Sequence, residues 1–136
     1  SEKVIGIKEA CGDLGQFAKI IKDSPEYFKV ISGDDALTLP SIAMGSIGVI
    51  SVIANALPAK LSQLTHASLE GNINKASQLH LQMAEMLKLI FKEGNPGGVK
   101  ALMEMIGTAK NQVRLPLVPV SSATYSLIEK ELKLIS

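Results

Sequence analysis

Three apolar, β-branched runs punctuate the first part of the chain: VIGIK at 4–8, FKVIS at 28–32 and GVISVIA at 48–54. The gaps between them carry helical spacing, first Leu14, Phe17, Ile20 and Ile21, then Leu37, Leu39, Ile42, Ala43 and Met44. Strand, helix, strand, helix, strand is the order of right-handed crossovers, so the runs predict a parallel sheet in an α/β fold. Runs that are apolar throughout, rather than alternating, also predict burial on both faces. A three-stranded parallel sheet has two open edges, and each offers unpaired N–H and C=O groups to any other strand. The pattern therefore predicts a partner for the sheet, in cis or in trans.

From Pro58 onward only helical spacing remains. Residues 58–70 lead to a turn at Gly71-Asn72, and 73–92 form an amphipathic run with Leu79, Met83, Met86, Leu87 and Ile90 on one side. GNPGG at 94–98 must break that run, because proline lacks an amide donor and glycine disfavours the helix. A further helix is expected from Val99 to about Ile106, then an extended crossing over LPLVPV at 115–120. Ser121 or Ser122 would cap a last helix ending near Leu134. The predicted division is 1–56 as three β/α units and 57–136 as a helical part.

The 136 residues, 46% of them apolar, can furnish the core of one ordinary domain. Fourteen basic residues against thirteen acidic ones, with no basic block, argue against a nucleic-acid partner. No apolar run approaches the roughly 20 residues of a membrane span, and the start SEK lacks the apolar segment of a signal peptide. The single cysteine, Cys11, excludes an internal disulfide, and a cytoplasmic location is expected. Ser1 stands where an initiator methionine would, close before the first strand, so residues upstream are expected to have been removed.

Lys8 is the residue whose position asks for chemistry. Along the first strand Gly6 and Lys8 share one face and Ile5 and Ile7 the other. If the first of these faces lines a barrel, Lys8 stands at the carboxyl end of its strand, where barrel enzymes carry their catalytic groups. A desolvated ammonium there loses its proton more readily, and the free amine can form a Schiff base with a carbonyl compound. The plain alternative is a lysine that ends a strand because its head reaches water.

GIKEACGDL at 6–14, SGDDALTLP at 32–40, GVISVIAN at 48–55, NPGGVKALM at 95–103 and RLPLVPVS at 114–121 together resemble the carboxyl-terminal half of dihydrodipicolinate synthases. That family belongs to the pyruvate-dependent class I aldolases, with N-acetylneuraminate lyase. The resemblance spans essentially the whole chain. It implies strands six to eight of a TIM (β/α)8 barrel followed by an all-helical carboxyl-terminal domain. It implies pyruvate and aspartate semialdehyde as substrates and no cofactor beyond a Schiff-base lysine; a homo-oligomer is expected from the two open sheet edges and the apolar face an incomplete barrel exposes. By the same resemblance Lys8 is the imine-forming lysine, Gly33 lies against the bound substrate, and Ile50 turns its backbone carbonyl toward the lysine amine. A sugar-acid aldolase, sharing the lysine but not the second substrate, is the runner-up, and a non-catalytic half-barrel that self-associates is the alternative of another class.

The family's proton-relay tyrosines, their bridging threonine and the arginine for the second carboxylate belong to strands this chain does not contain, and Tyr27 and Tyr125 lie outside the matching motifs. Isolated, the chain is therefore expected to be inactive. Cys11 replaces a commoner serine or threonine, and Gly97-Gly98 replaces a commoner Ile-Pro, which is expected to loosen a turn. Ser32, Asp34 and Asp35 read as caps of the following helix, and Asn55 as a strand-end or turn residue. His66 and His80 have no companions at metal-ligand spacing, so no metal is expected. Met83, Met86, Met103 and Met105 fit core packing, and GNPGG lacks the Lys-Ser/Thr of a phosphate loop.

Overall fold

Strands β1 (Gly6–Glu9) and β2 (Lys29–Ser32) pair in parallel, Gly6 opposite Lys29 and Lys8 opposite Ile31. They are joined by helix α1 (Leu14–Asp23), in a computed structural model that describes residues 3–135. Asp13 starts α1 by accepting the Gly15 N–H at 2.7 Å, the N-cap role for which a short acidic side chain is suited. A 3-10 turn (Asp35–Leu37) and α2 (Thr38–Ala43) follow β2.

The third expected strand needs correction. Of the run at 48–54 only Val49 forms a parallel bridge, to Ser32. Three backbone bonds of 2.8–2.9 Å hold it there: Ile47 N–H to Val30, Ser32 N–H to Gly48 and Ile50 N–H to Ser32. The run stops being strand for two reasons. Gly48 has φ +153°, which only glycine adopts readily. Beyond Ile50, Asp35 Oδ2 accepts the N–H groups of Val52 and Ile53 at 2.9 and 3.1 Å and bends the chain into a 3-10 turn (Ile53–Asn55).

Burial on both faces is also corrected. Residues that face each other across β1 and β2 share a side, and on one side Glu9, Val30 and Ser32 are buried. The other side carries Gly6, Lys8, Lys29 and Ile31, and it is open. A groove of about 330 Å3 runs along it, lined also by Ile47, which is 47% exposed. Ile50, on the third segment, is 51% exposed.

The helical part comprises α3 (Pro58–Leu69), α4 (Ile73–Phe91), α5 (Gly97–Met105) and α6 (Ser122–Ile135). Helix α4 is its axis and packs against α3, α5 and α6. Leu64, Met86, Ile90, Leu102 and Ile128 are completely buried around it, and the same core takes in Ile53 and Ala56 from the end of the β/α part. Met83 and Met86 are core residues, with Met103 and Met105 packed on the core's rim, as their spacing predicted.

The expected loosening at Gly97-Gly98 is not found. Both glycines lie inside α5 and are buried, and a Cβ on Gly98 would strike the backbone of Ile90. Glycine here lets α4 and α5 cross closely. Residues 115–120 run over the surface without regular structure, with Leu115 and Val118 largely exposed. Ser121 caps α6 by accepting the Thr124 N–H at 3.3 Å, and its own N–H and hydroxyl donate to Glu93 at 2.8 and 2.6 Å.

Candidate active site

The strand ends bring Lys8 and Gly33 together. Gly33 N–H donates to the Glu9 carbonyl at 2.7 Å, which carries the parallel ladder one residue past β2 and sets Gly33 beside the end of β1. A Cβ at position 33 would lie 2.6 Å from the Ala10 Cβ, and 3.1 and 3.2 Å from the Lys8 Cγ and Cδ. The aliphatic stem of Lys8 therefore rests on the bare backbone of Gly33, and a side chain there would push it away. Ile50 is one segment further, its N–H bonded to the Ser32 carbonyl at 2.8 Å. The three residues thus stand at the carboxyl ends of three consecutive parallel segments.

Lys8 is exposed, and its amine has no hydrogen bond or ion pair among the described residues. The nearest carboxylate in sequence, Glu9, points to the opposite side of the sheet and is engaged. Glu9 Oε2 accepts from the Gln16 amide at 2.8 Å and Oε1 from the Cys11 N–H at 2.7 Å. The bond from Gln16, then those from Cys11, hold its carboxyl at about 2. Glu9 therefore braces the turn that follows Lys8 and does not act as its base.

Cys11 is exposed, and its sulfur accepts the Asp13 N–H at 3.4 Å. That bond favours the thiolate, but the hydrogen bond to Glu9, desolvation and the neighbouring carboxylates outweigh it and push the thiol up.

The two aspartates after Gly33 divide their work. Asp34 is the local cap, accepting the Ala36 N–H at 2.8 Å, and the Ser32 hydroxyl accepts the Asp34 N–H at 3.1 Å. Asp35 departs from the capping role expected of it. Only 1% exposed, it reaches the Val52 and Ile53 amides, seventeen and eighteen residues on, and its Oδ1 is buried without a partner. Asp35 thereby locks the turn that follows Ile50 to the turn that follows Gly33. Asn55 takes the turn role, donating to the Val52 carbonyl at 2.9 Å.

Glu9 and Asp35 are the structural supports that sequence reading missed. The partners of Asp35 lie too far along the chain for any local pattern to disclose them. Tyr27 is exposed, and the Tyr125 hydroxyl donates to Glu104 at 3.1 Å in the helical part. Among the described residues no three His, Cys, Asp or Glu side chains converge as a metal site, and no helix is long and apolar enough to cross a membrane. The arrangement presents an accessible primary amine beside bare backbone, without a general acid or base in contact among the described residues.

Residues 1–135 match the Dihydrodipicolinate synthetase family. Among curated relatives, the 4-hydroxy-tetrahydrodipicolinate synthase of Azobacteroides pseudotrichonymphae genomovar. CFP2 is 45% identical over 96% of this chain and 44% of its own length. That of Methanosarcina mazei is 41% identical over 97% of this chain and 46% of its own length. Among solved structures, dihydrodipicolinate synthase from Aquifex aeolicus superposes with a TM-score of 0.93 at 36% identity, covering 97% of this chain and 45% of that one. The Thermotoga maritima enzyme gives 0.94 at 36% identity, with 98% and 46% covered. The chain spans less than half the length of each.

Proposed function

The chain belongs to the dihydrodipicolinate synthetase family, and on that premise we propose that it is the carboxyl-terminal part of a 4-hydroxy-tetrahydrodipicolinate synthase. It would supply strands six to eight of a β/α barrel and the helical domain behind them, the other strands lying outside this chain. Lys8 is the imine-forming residue. Its free amine adds to the ketone of pyruvate, and loss of water gives the imine. The positive nitrogen then draws electrons from the methyl carbon, which loses a proton to become the enamine that attacks the aldehyde of aspartate semialdehyde. Gly33 leaves room for the adduct, and the resemblance assigns the Ile50 carbonyl to the amine.

One observation carries this reading: the Lys8 stem lies beside the bare backbone of Gly33, where a Cβ would strike the Ala10 Cβ at 2.6 Å and crowd the stem at 3.1 Å. Without a proton relay in contact, the chain by itself forms the imine slowly and completes no condensation. The test is intact mass after incubation with pyruvate and borohydride, beside a Lys8→Ala variant. A slow adduct on the unaltered chain alone is expected; equal labelling of the variant would remove Lys8 from the role.

The open sheet face favours a second, compatible reading, in which isolated chains self-associate through it, since Ile47 and Ile50 are about half exposed there. Sedimentation at micromolar concentration should then show an oligomer, and a stable monomer would dismiss it.

A further inference from the structure

The bonds made by Asp35 converge on the segment that carries Ile50. Thr38, fully buried, donates its hydroxyl to the Asp35 carbonyl at 2.8 Å and so holds the backbone from which the carboxylate reaches out. From that fixed point Oδ2 accepts the N–H groups of Val52 and Ile53 at 2.9 and 3.1 Å. Oδ1 is enclosed without a partner, so every bond the carboxylate makes among the described residues goes to this turn.

Ile50 is thereby anchored on both sides. Its own N–H donates to the Ser32 carbonyl at 2.8 Å, and the next anchored amide is that of Val52. Peptide planes are rigid, so with both amides fixed the few torsions left between them set where the Ile50 carbonyl points. Both anchors belong to the end of β2. Ser32 is its last residue, and Asp35 follows Gly33, whose N–H bonds the carbonyl of Glu9, the neighbour of Lys8, at 2.7 Å. Past Ile50 the backbone ladder has ended, and the Asp35 carboxylate is what ties the third segment to the second.

We propose that Asp35 is a positioning residue for imine formation: by clamping residues 52 and 53 to the end of β2, it fixes the Ile50 carbonyl that the resemblance assigns to the Lys8 amine. Asp35 acts through the backbone alone. The proposal rests on the reading of Lys8 above and adds to it a residue bonded across seventeen and eighteen positions of the chain. Without the clamp the carbonyl is free to turn, and a displacement of about 1 Å in a reacting geometry can cost as much as about a hundredfold in rate.

The test follows, on the full chain, the rate at which pyruvate and borohydride label Lys8, located by peptide mapping, as the pyruvate concentration is raised. Asp35→Ala should lower the limiting rate about tenfold and leave the half-saturating pyruvate concentration within about twofold. Asp35→Asn, which keeps an oxygen for both amides, should restore most of that rate. Leu102→Ala, which weakens the helical core at least as much, should leave the limiting rate unchanged under conditions where urea curves show the variants folded. Thr38→Val should lower the rate severalfold, and it stands in if Asp35→Ala does not fold. An unchanged rate in folded Asp35→Ala, or in Thr38→Val where Asp35→Ala is unfolded, would overturn the proposal. So would an Asp35→Asn variant as slow as Asp35→Ala, or an equal loss in Leu102→Ala. Labelling that Lys8→Ala does not reduce defeats the Lys8 reading and this proposal with it. Lys8-specific labelling at an undiminished rate in the Asp35 variants defeats this proposal alone.

Discussion

The helical part and the β/α part treat their apolar surface in opposite ways. Around α4, Leu64, Met86, Ile90, Leu102 and Ile128 are fully buried, each against side chains of neighbouring helices. In the sheet only one side is covered, by a small core that includes Phe17, Val30 and Ile42, while Ile47 and Ile50 are 47% and 51% exposed. Four helices with one apolar stripe each can close on themselves. Two strands and a bridge cannot, because a barrel closes only when its full set of strands is present. The residues proposed for chemistry all lie in the part that does not close.

The comparison breaks most easily at its closed side. Leu102→Ala should cost about 2–5 kcal/mol, read as a lowered urea midpoint; a loss below the effect of any sheet substitution would mean the helical core is not the main source of stability. Asp35→Ala comes next, at about 1–3 kcal/mol, because it strands the half-buried amide of Val52 and the buried amide of Ile53. Asp35→Asn should recover most of that loss, since a single oxygen already accepts both bonds.

Acid should act on both parts through Glu9 and Glu93, each held at about 2 against an ordinary 4.5. Bonds from Ser121 and then Thr124 hold Glu93 down, tying the end of α4 to the start of α6. A depressed carboxylate stabilises the fold above its unfolded pKa, and that contribution disappears as pH falls from about 4.5 to about 2. Urea midpoints should therefore drop across that window, and Glu93→Gln should flatten the drop without moving the signal of a probe at Cys11.

Ile50→Ser should have the smallest effect, within about 0.5 kcal/mol, as for any exposed position. If its cost rises with protein concentration, the open face is covered by a second copy, and the contrast between the two parts belongs to the monomer only.

Much of this was legible beforehand. The helices at 14–23, 58–69 and 73–91 follow the apolar spacing closely, and GNPGG separates α4 from α5 where expected. The third strand was overread, because an apolar run predicts strand whether or not neighbours exist to pair with it. At Gly98 composition suggested looseness, yet the contact with Ile90 makes glycine the tightest fit available there.

The order of the elements, the Lys8 position at a strand end and the helical second half follow from periodicity and turn residues alone, since these are local properties of the chain. The rest of the site depended on the fold. Only the tertiary structure set the Lys8 stem on Gly33, sent Asp35 across to Val52 and Ile53, and joined Glu93 to Ser121. Those contacts link residues 17 to 28 positions apart, or in neighbouring strands, and a parallel crossover or a helix pairing has to form before such groups can meet.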